Sequence, residues 1–123
     1  MKKRFSIKAR IRSFKYAGIG ISKLVFLEHN AWIHCAAIIL VTIAGFYFDI
    51  TKYEWIAVIV CFGMVVAAEA FNTAIERLVD LVSPQKQPLA GDVKDLAAAG
   101  VLICAIAAAV IGLVIFIPYI FLS

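Results

Sequence analysis

From Trp55 to Ala68 the chain is an unbroken apolar run, and the next residue is Glu69. Continued as a helix, this segment sets Glu69, Asn72, Thr73, Glu76 and Asp80 at offsets of 0, 3, 4, 7 and 11. Side chains three and four residues apart stack on one helix face. One side of a helix whose first half is hydrocarbon therefore carries an acidic stripe. An ionised carboxylate at bilayer depth costs on the order of 3 kcal/mol even on lenient insertion scales. The default reason to retain such a stripe is a functional site that faces protein or water.

The chain has 123 residues, 64% of them hydrophobic. A soluble chain of this size has nowhere to bury so much apolar surface. Crossing a hydrocarbon core of ~30 Å takes about 20 helical residues. Three stretches are that long or nearly so: Ala31–Phe48, Trp55–Ile75 and Leu96–Leu122. The sequence is that of a small multi-pass membrane protein, read as one domain over residues 1–123. No cleavable signal peptide is expected, since the first span starts well inside the chain and no small-residue cleavage site follows it. Cys35, Cys61 and Cys104 each fall within a span and read as small apolar packing residues.

The net charge of +4 matters less than its distribution. Lys2, Lys3, Arg4, Lys8, Arg10, Arg12, Lys15 and Lys23 crowd into the N-terminal arm. A basic arm on a membrane protein meets anionic lipid headgroups on the cytoplasmic face. No interleaving of aromatics with base-reading polar groups points to nucleic acid. Within residues 5–28, Ile7, Ile11, Phe14, Gly18, Ile21, Val25 and Glu28 recur at steps of four and three. That spacing predicts an amphipathic helix lying in the membrane interface. Glu28 continues its apolar face, either as a carboxylate exposed at a helix end or as part of a site.

The polar hinge Glu28–His34 leads into the first span, with Trp32 as an interfacial anchor. His34 is weak evidence for a metal site and reads as a hydrogen-bonded polar group near the interface rather than a metal ligand. The expected membrane helices cover 31–48, 55–80 and 93–122. Pro84 and Pro88 exclude a continuous helix through the loop 81–91. Small residues such as Ala97–Gly100 and Ala107–Ala109 suit close helix packing in lipid. The charge asymmetry puts the N-terminus and the second loop in the cytoplasm, and with them Glu28, Glu69, Glu76, Asp80, Lys94 and Asp95.

Carboxylates, an amide and a lysine gathered there suit Mg²⁺ and a phosphorylated nucleotide. Mg²⁺ takes oxygen ligands, commonly one or two carboxylates plus substrate phosphates. Phosphoryl transfer needs positioning, charge neutralisation and a base for the attacking hydroxyl. Glu69 is the deepest acid and the best placed to meet a lipid alcohol as general base. Glu76 can share a metal with Glu28, and Lys94 can neutralise phosphate. A plainer reading of the last group stays open: Asp92 and Asp95 as an acidic first turn of the third helix, with Lys94 solvated. No Gly-x-x-x-x-Gly-Lys-Ser/Thr loop or protein-kinase signature is present.

Glu69-Ala-Phe-Asn-Thr-Ala-Ile-Glu76 followed by Asp80 resembles the signature of the prokaryotic diacylglycerol kinase family, which includes the undecaprenol kinases. The likeness extends to Phe14-Lys-Tyr-Ala-Gly-Ile-Gly20, Glu28-x-Asn30-x-x-x-His34 and Lys94-Asp95-Leu-Ala-Ala, covering roughly residues 10 to 110. It implies an all-α integral membrane fold, an amphipathic surface helix plus three transmembrane helices, packed as a homotrimer in the bacterial inner membrane. It also implies transfer of the γ-phosphate of MgATP to a lipid alcohol on the cytoplasmic side, with active sites at subunit boundaries. By the same resemblance Glu69 is the catalytic base and Glu28 and Glu76 hold the metal with ATP. Asn72 lies close to the transferred phosphate, Lys94 on the polyphosphate, Asp95 near the nucleotide's other end, and Tyr16 touches ATP. Glu28, Asn30 and His34 look more like the undecaprenol-kinase branch. Two departures bear on lipid choice and nucleotide contacts: Ala31-Trp32, where that branch has a bulky apolar residue and Arg, and a loop Pro84–Pro88 without histidine.

Two other classes compete. A small cation- or proton-coupled transporter would use Glu69 alone and need a sealed gradient. A non-catalytic assembly subunit would use the stripe only for helix association.

Overall fold

The computed structural model of the protein describes residues 4–28 and 30–122. Lys2 and Lys3 of the basic arm and His29 of the hinge lie outside them. The described residues form helices and no strand: α1 (Ile7–Leu27), α2 (Ala31–Phe48), α3 (Lys52–Val82) and α4 (Pro88–Phe121). They divide into two units, Met1–Ile39 and Leu40–Ser123, the division falling within α2.

In the first unit, α1 starts where Ser6 supplies an N-cap. Its hydroxyl accepts from the Ala9 amide at 3.3 Å, satisfying one of the orphan donors of the first turn. The helix buries none of its residues, and Ile7, Ile11, Phe14 and Ile21 stand exposed. It stops one residue short of the expected end. Glu28 is extended (φ −99°, ψ 133°) and forms the C-cap. A tight turn follows, in which the Ala31 amide donates to the Glu28 carbonyl at 3.3 Å. The turn starts α2.

The second unit is built around the end of α2 and the α3–α4 hairpin. The last turn of α2 closes in a Schellman motif: the Asp49 amide reaches the Phe46 carbonyl at 3.3 Å and the Ile50 amide the Gly45 carbonyl at 3.1 Å. The motif requires a left-handed residue, here Asp49 at φ 52°. Aspartate tolerates that region better than most side chains. Ile50, the residue beyond, is buried at 5% exposure and joins Val58 and Ile115 in the core. Gly45 is also buried, for a steric reason. A Cβ there would lie 2.5 and 2.8 Å from ring carbons of Trp55.

Helix α3 starts at Lys52, three residues before the expected Trp55. Thr51 and Glu54 form a capping box, the Glu54 amide on the Thr51 hydroxyl at 3.2 Å and the Thr51 amide on Glu54 Oε1 at 2.9 Å. Hydrophobicity marks where the apolar stretch begins, whereas the cap marks where the helix begins. Helix α4 likewise starts at Pro88, not near residue 93. A proline at the first helical position needs no amide partner and has its φ preset. The expected acidic first turn is thereby corrected: no acid lies in the first turn of α4, and Asp92 and Asp95 sit further along it. The linker between the helices shrinks to residues 83–87.

α3 and α4 pack antiparallel. Phe48, Phe116 and Tyr119 gather at one end, with Phe48 and Tyr119 ring centroids 5.8 Å apart, and the Tyr119 hydroxyl donates to Glu54. α2, α3 and α4 are long and apolar enough to cross a bilayer, and the chain is a membrane protein. At about 1.5 Å per residue, the 31 residues of α3 and 34 of α4 exceed a ~30 Å hydrocarbon core. The overhang carries polar residues beyond the apolar part.

Candidate active site

Along α3 the positions Val58, Phe62, Val65, Glu69, Asn72, Glu76 and Val79 are all buried or half-buried, at steps of four and three. The acidic stripe therefore continues the same face that, lower down, packs as hydrocarbon against α4. Glu69, Asn72, Thr73 and Glu76 are half-buried and Asp80 is exposed. Polarity and solvent access rise together towards the linker.

Antiparallel packing sets what lies opposite. The contacts of Glu54 with Tyr119 and of Asp80 with Lys94 define one register. With equal rise on both helices, that register brings Glu69 level with Cys104, Asn72 with Val101, and Glu76 with Ala97. These α4 residues are themselves half-buried. Small side chains opposite the carboxylates leave them room that a leucine would fill.

Two polar contacts organise the site. Asn72 Nδ2 donates to Glu76 Oε1 at 3.2 Å, a one-turn contact of the i, i+4 kind. It occupies the amide nitrogen and leaves Asn72 Oδ1 buried without a hydrogen-bond partner. A buried acceptor in that state costs about 1–3 kcal/mol. What satisfies it must be a donor or a cation. At the exposed end, Lys94 Nζ meets Asp80 Oδ1 at 2.6 Å. Both groups line an open recess of about 590 Å³, closed below by the linker residues Ser83, Gln85 and Gln87. That is within the usual range for small-ligand pockets. The linker is held in place from within. The Ser83 amide donates to the Val79 carbonyl at 2.7 Å, and the Ser83 hydroxyl to the Gln85 carbonyl at 2.9 Å.

The second unit thus pairs Asn72 with Glu76 and Asp80 with Lys94, with Glu69 one turn deeper on the same face of α3. Asp95 is exposed on α4 and outside the Asp80–Lys94 contact. Tyr16 and Glu28 belong to the first unit, Tyr16 exposed on α1 and Glu28 half-buried at its end. Among the described residues no three His, Cys, Asp or Glu side chains gather into a ready-made metal cage. Charge asymmetry in the sequence puts Asp80 and Lys94 at one interface, and the structure adds their pairing. The signal was present in two prolines that limit the linker, which forces α4 back along α3. The Asn72–Glu76 contact was legible from its spacing alone.

A half-buried acidic face on a membrane helix, ending at Asp80 on the rim of an open recess beside the linker, is the kind of site expected of an enzyme that works at a membrane surface. Comparison with known proteins identifies the family. Residues 15–116 match the family model described as prokaryotic diacylglycerol kinase. The chain is 39% identical to the undecaprenol kinase of Bacillus subtilis (strain 168), over 87% of each chain. It is 37% identical to a diacylglycerol kinase of Synechocystis sp., over 86% of this chain and 61% of that one. A diacylglycerol kinase of Haemophilus influenzae is 32% identical, over 85% of this chain and 86% of its own. The chain belongs to the prokaryotic diacylglycerol kinase family. It is a lipid kinase, with a lipid and ATP as its substrates, and the transporter and assembly-subunit readings fall away.

Proposed function

We propose that the protein transfers the γ-phosphate of MgATP to the hydroxyl of a membrane lipid alcohol on the cytoplasmic side of the bacterial inner membrane. The observation that carries this is the stripe itself: Glu69 half-buried where hydrocarbon gives way to polar residues, with Glu76 and Lys94 beyond it towards solvent. A lipid hydroxyl arrives from the bilayer and a nucleotide from water, so this is the level at which they meet.

Glu69 takes the proton of the lipid hydroxyl, whose oxygen attacks the γ-phosphorus as the bond to the ADP oxygen breaks. Lys94 neutralises the polyphosphate, Asp95 lies near the nucleotide's other end, and Tyr16 contacts it from α1. Asn72 lies close to the transferred phosphate. The donor set fits Mg²⁺, since Glu76 is a carboxylate beside an orphaned amide oxygen and Mg²⁺ needs only one or two carboxylates once phosphates complete its shell. Glu76, with Glu28 by the family resemblance, would hold the ion, which would supply neutralisation of phosphate charge. The exposed apolar residues of α1 and its lysines and arginines support a helix at the interface, against anionic headgroups. A homotrimer with sites at subunit boundaries remains the reading implied by the family motif.

Undecaprenol is the favoured acceptor. The Glu28, Asn30 and His34 pattern supports it, as does the 39% identity to an undecaprenol kinase spanning 87% of both chains. The test is the purified protein with MgATP against undecaprenol and diacylglycerol side by side. Faster turnover of undecaprenol is expected. Preference for diacylglycerol overturns the lipid assignment, and turnover of neither overturns the reaction.

A further inference from the structure

We propose that Asp80 is a positioning residue for the nucleotide site, holding the Lys94 ammonium at the edge of the linker recess where the polyphosphate binds. The inference rests on the reading of Lys94 as the polyphosphate contact. Asp80 enters it only through geometry: a 2.6 Å contact between two helices, made by the last acid of the α3 stripe. A lysine side chain has four rotatable bonds, and fixing it costs rotamer freedom. A partner that has already fixed it spares the ligand that cost. An ammonium has three donors, so a carboxylate on one side leaves others for phosphate oxygens. The pair lines the recess of about 590 Å³ and is solvent-accessible, with side-chain exposures of 40% for Lys94 and 65% for Asp80. A polyphosphate can therefore reach the ammonium without unfolding the hairpin.

The alternative sign is distinct. If Asp80 instead competed with the nucleotide for Lys94, removing its charge would tighten ATP binding. The experiment is a double-mutant cycle on the full-length protein in lipid, reading KM for MgATP and kcat for Asp80→Asn, Lys94→Ala and the pair. Asp80→Asn is expected to raise KM about threefold, in the range typical of an exposed ion pair, with kcat nearly unchanged. In the Lys94→Ala background the same change is expected to do nothing, because the group it positions is gone. Asp80→Glu, which keeps the charge, is expected to recover part of the loss. An unchanged or lowered KM in Asp80→Asn overturns the proposal, and so does an equal effect with and without Lys94. If Lys94→Ala alone leaves KM for MgATP unchanged, the polyphosphate role of Lys94 fails first, and the Asp80 inference fails with it.

Discussion

At the scale of single residues, the stripe divides by depth. Glu69 sits where the helix face changes from hydrocarbon to polar, and Glu76 lies two turns nearer water. The two carboxylates are expected to fail differently. Glu69→Gln removes a proton acceptor while keeping size and hydrogen-bonding capacity. It is expected to lower kcat by a factor of ~10² or more with nucleotide binding retained. Near wild-type turnover of the purified variant would remove Glu69 from the base role. Glu76→Gln is expected to shift the Mg²⁺ dependence instead. Titration of Mn²⁺ against the protein and ATP, followed by electron paramagnetic resonance, should show weakened metal binding; an unaltered titration curve would count against the metal assignment. That Glu69, Asn72 and Glu76 share one helix face was legible in the sequence, because spacing on a helix is a one-dimensional property. Their partners were less so. Lys94 reads as a solvated cation until α4 is known to run back along α3, and that depends on tertiary packing.

At the scale of elements, the turn between α2 and α3 is the most tightly specified part of the second unit. The Trp55 ring leaves no room for a Cβ at Gly45, Asp49 takes the left-handed conformation, and Thr51 and Glu54 cap α3 reciprocally. Gly45→Ala would drive a methyl group into the Trp55 ring and is expected to cost about 1–3 kcal/mol, as overpacking does. Thermal unfolding in detergent micelles checks this, and an unchanged midpoint would mean that the ring moves aside. Thr51→Ala removes one half of the capping box and is expected to cost ~1 kcal/mol by the same measurement. These features also show why helix boundaries were the weakest part of the sequence reading. Hydropathy located the spans and α2 matches its expected bounds. It missed the starts of α3 and α4, which a threonine cap and a proline decide rather than apolar content.

At the scale of the whole molecule, orientation is the property on which the enzymatic reading depends. In a background lacking Cys35, Cys61 and Cys104, Gln85→Cys is expected to react with an impermeant thiol reagent only from the cytoplasmic side. Lys52→Cys should react only from the opposite side. Reaction of both from one side would remove the cytoplasmic site. Between those two ends the α3–α4 hairpin is fastened twice, by Glu54 with Tyr119 and by Asp80 with Lys94. Neither fastening lies at the level of the deeper carboxylates. At that level α4 presents the small side chains of Ala97 and Cys104, both half-buried. Room beside the carboxylates is left by methylene groups that α4 lacks. Ala97→Leu is therefore expected to lower turnover by crowding alone, with every charged group still in place, and wild-type activity of the purified variant would overturn this.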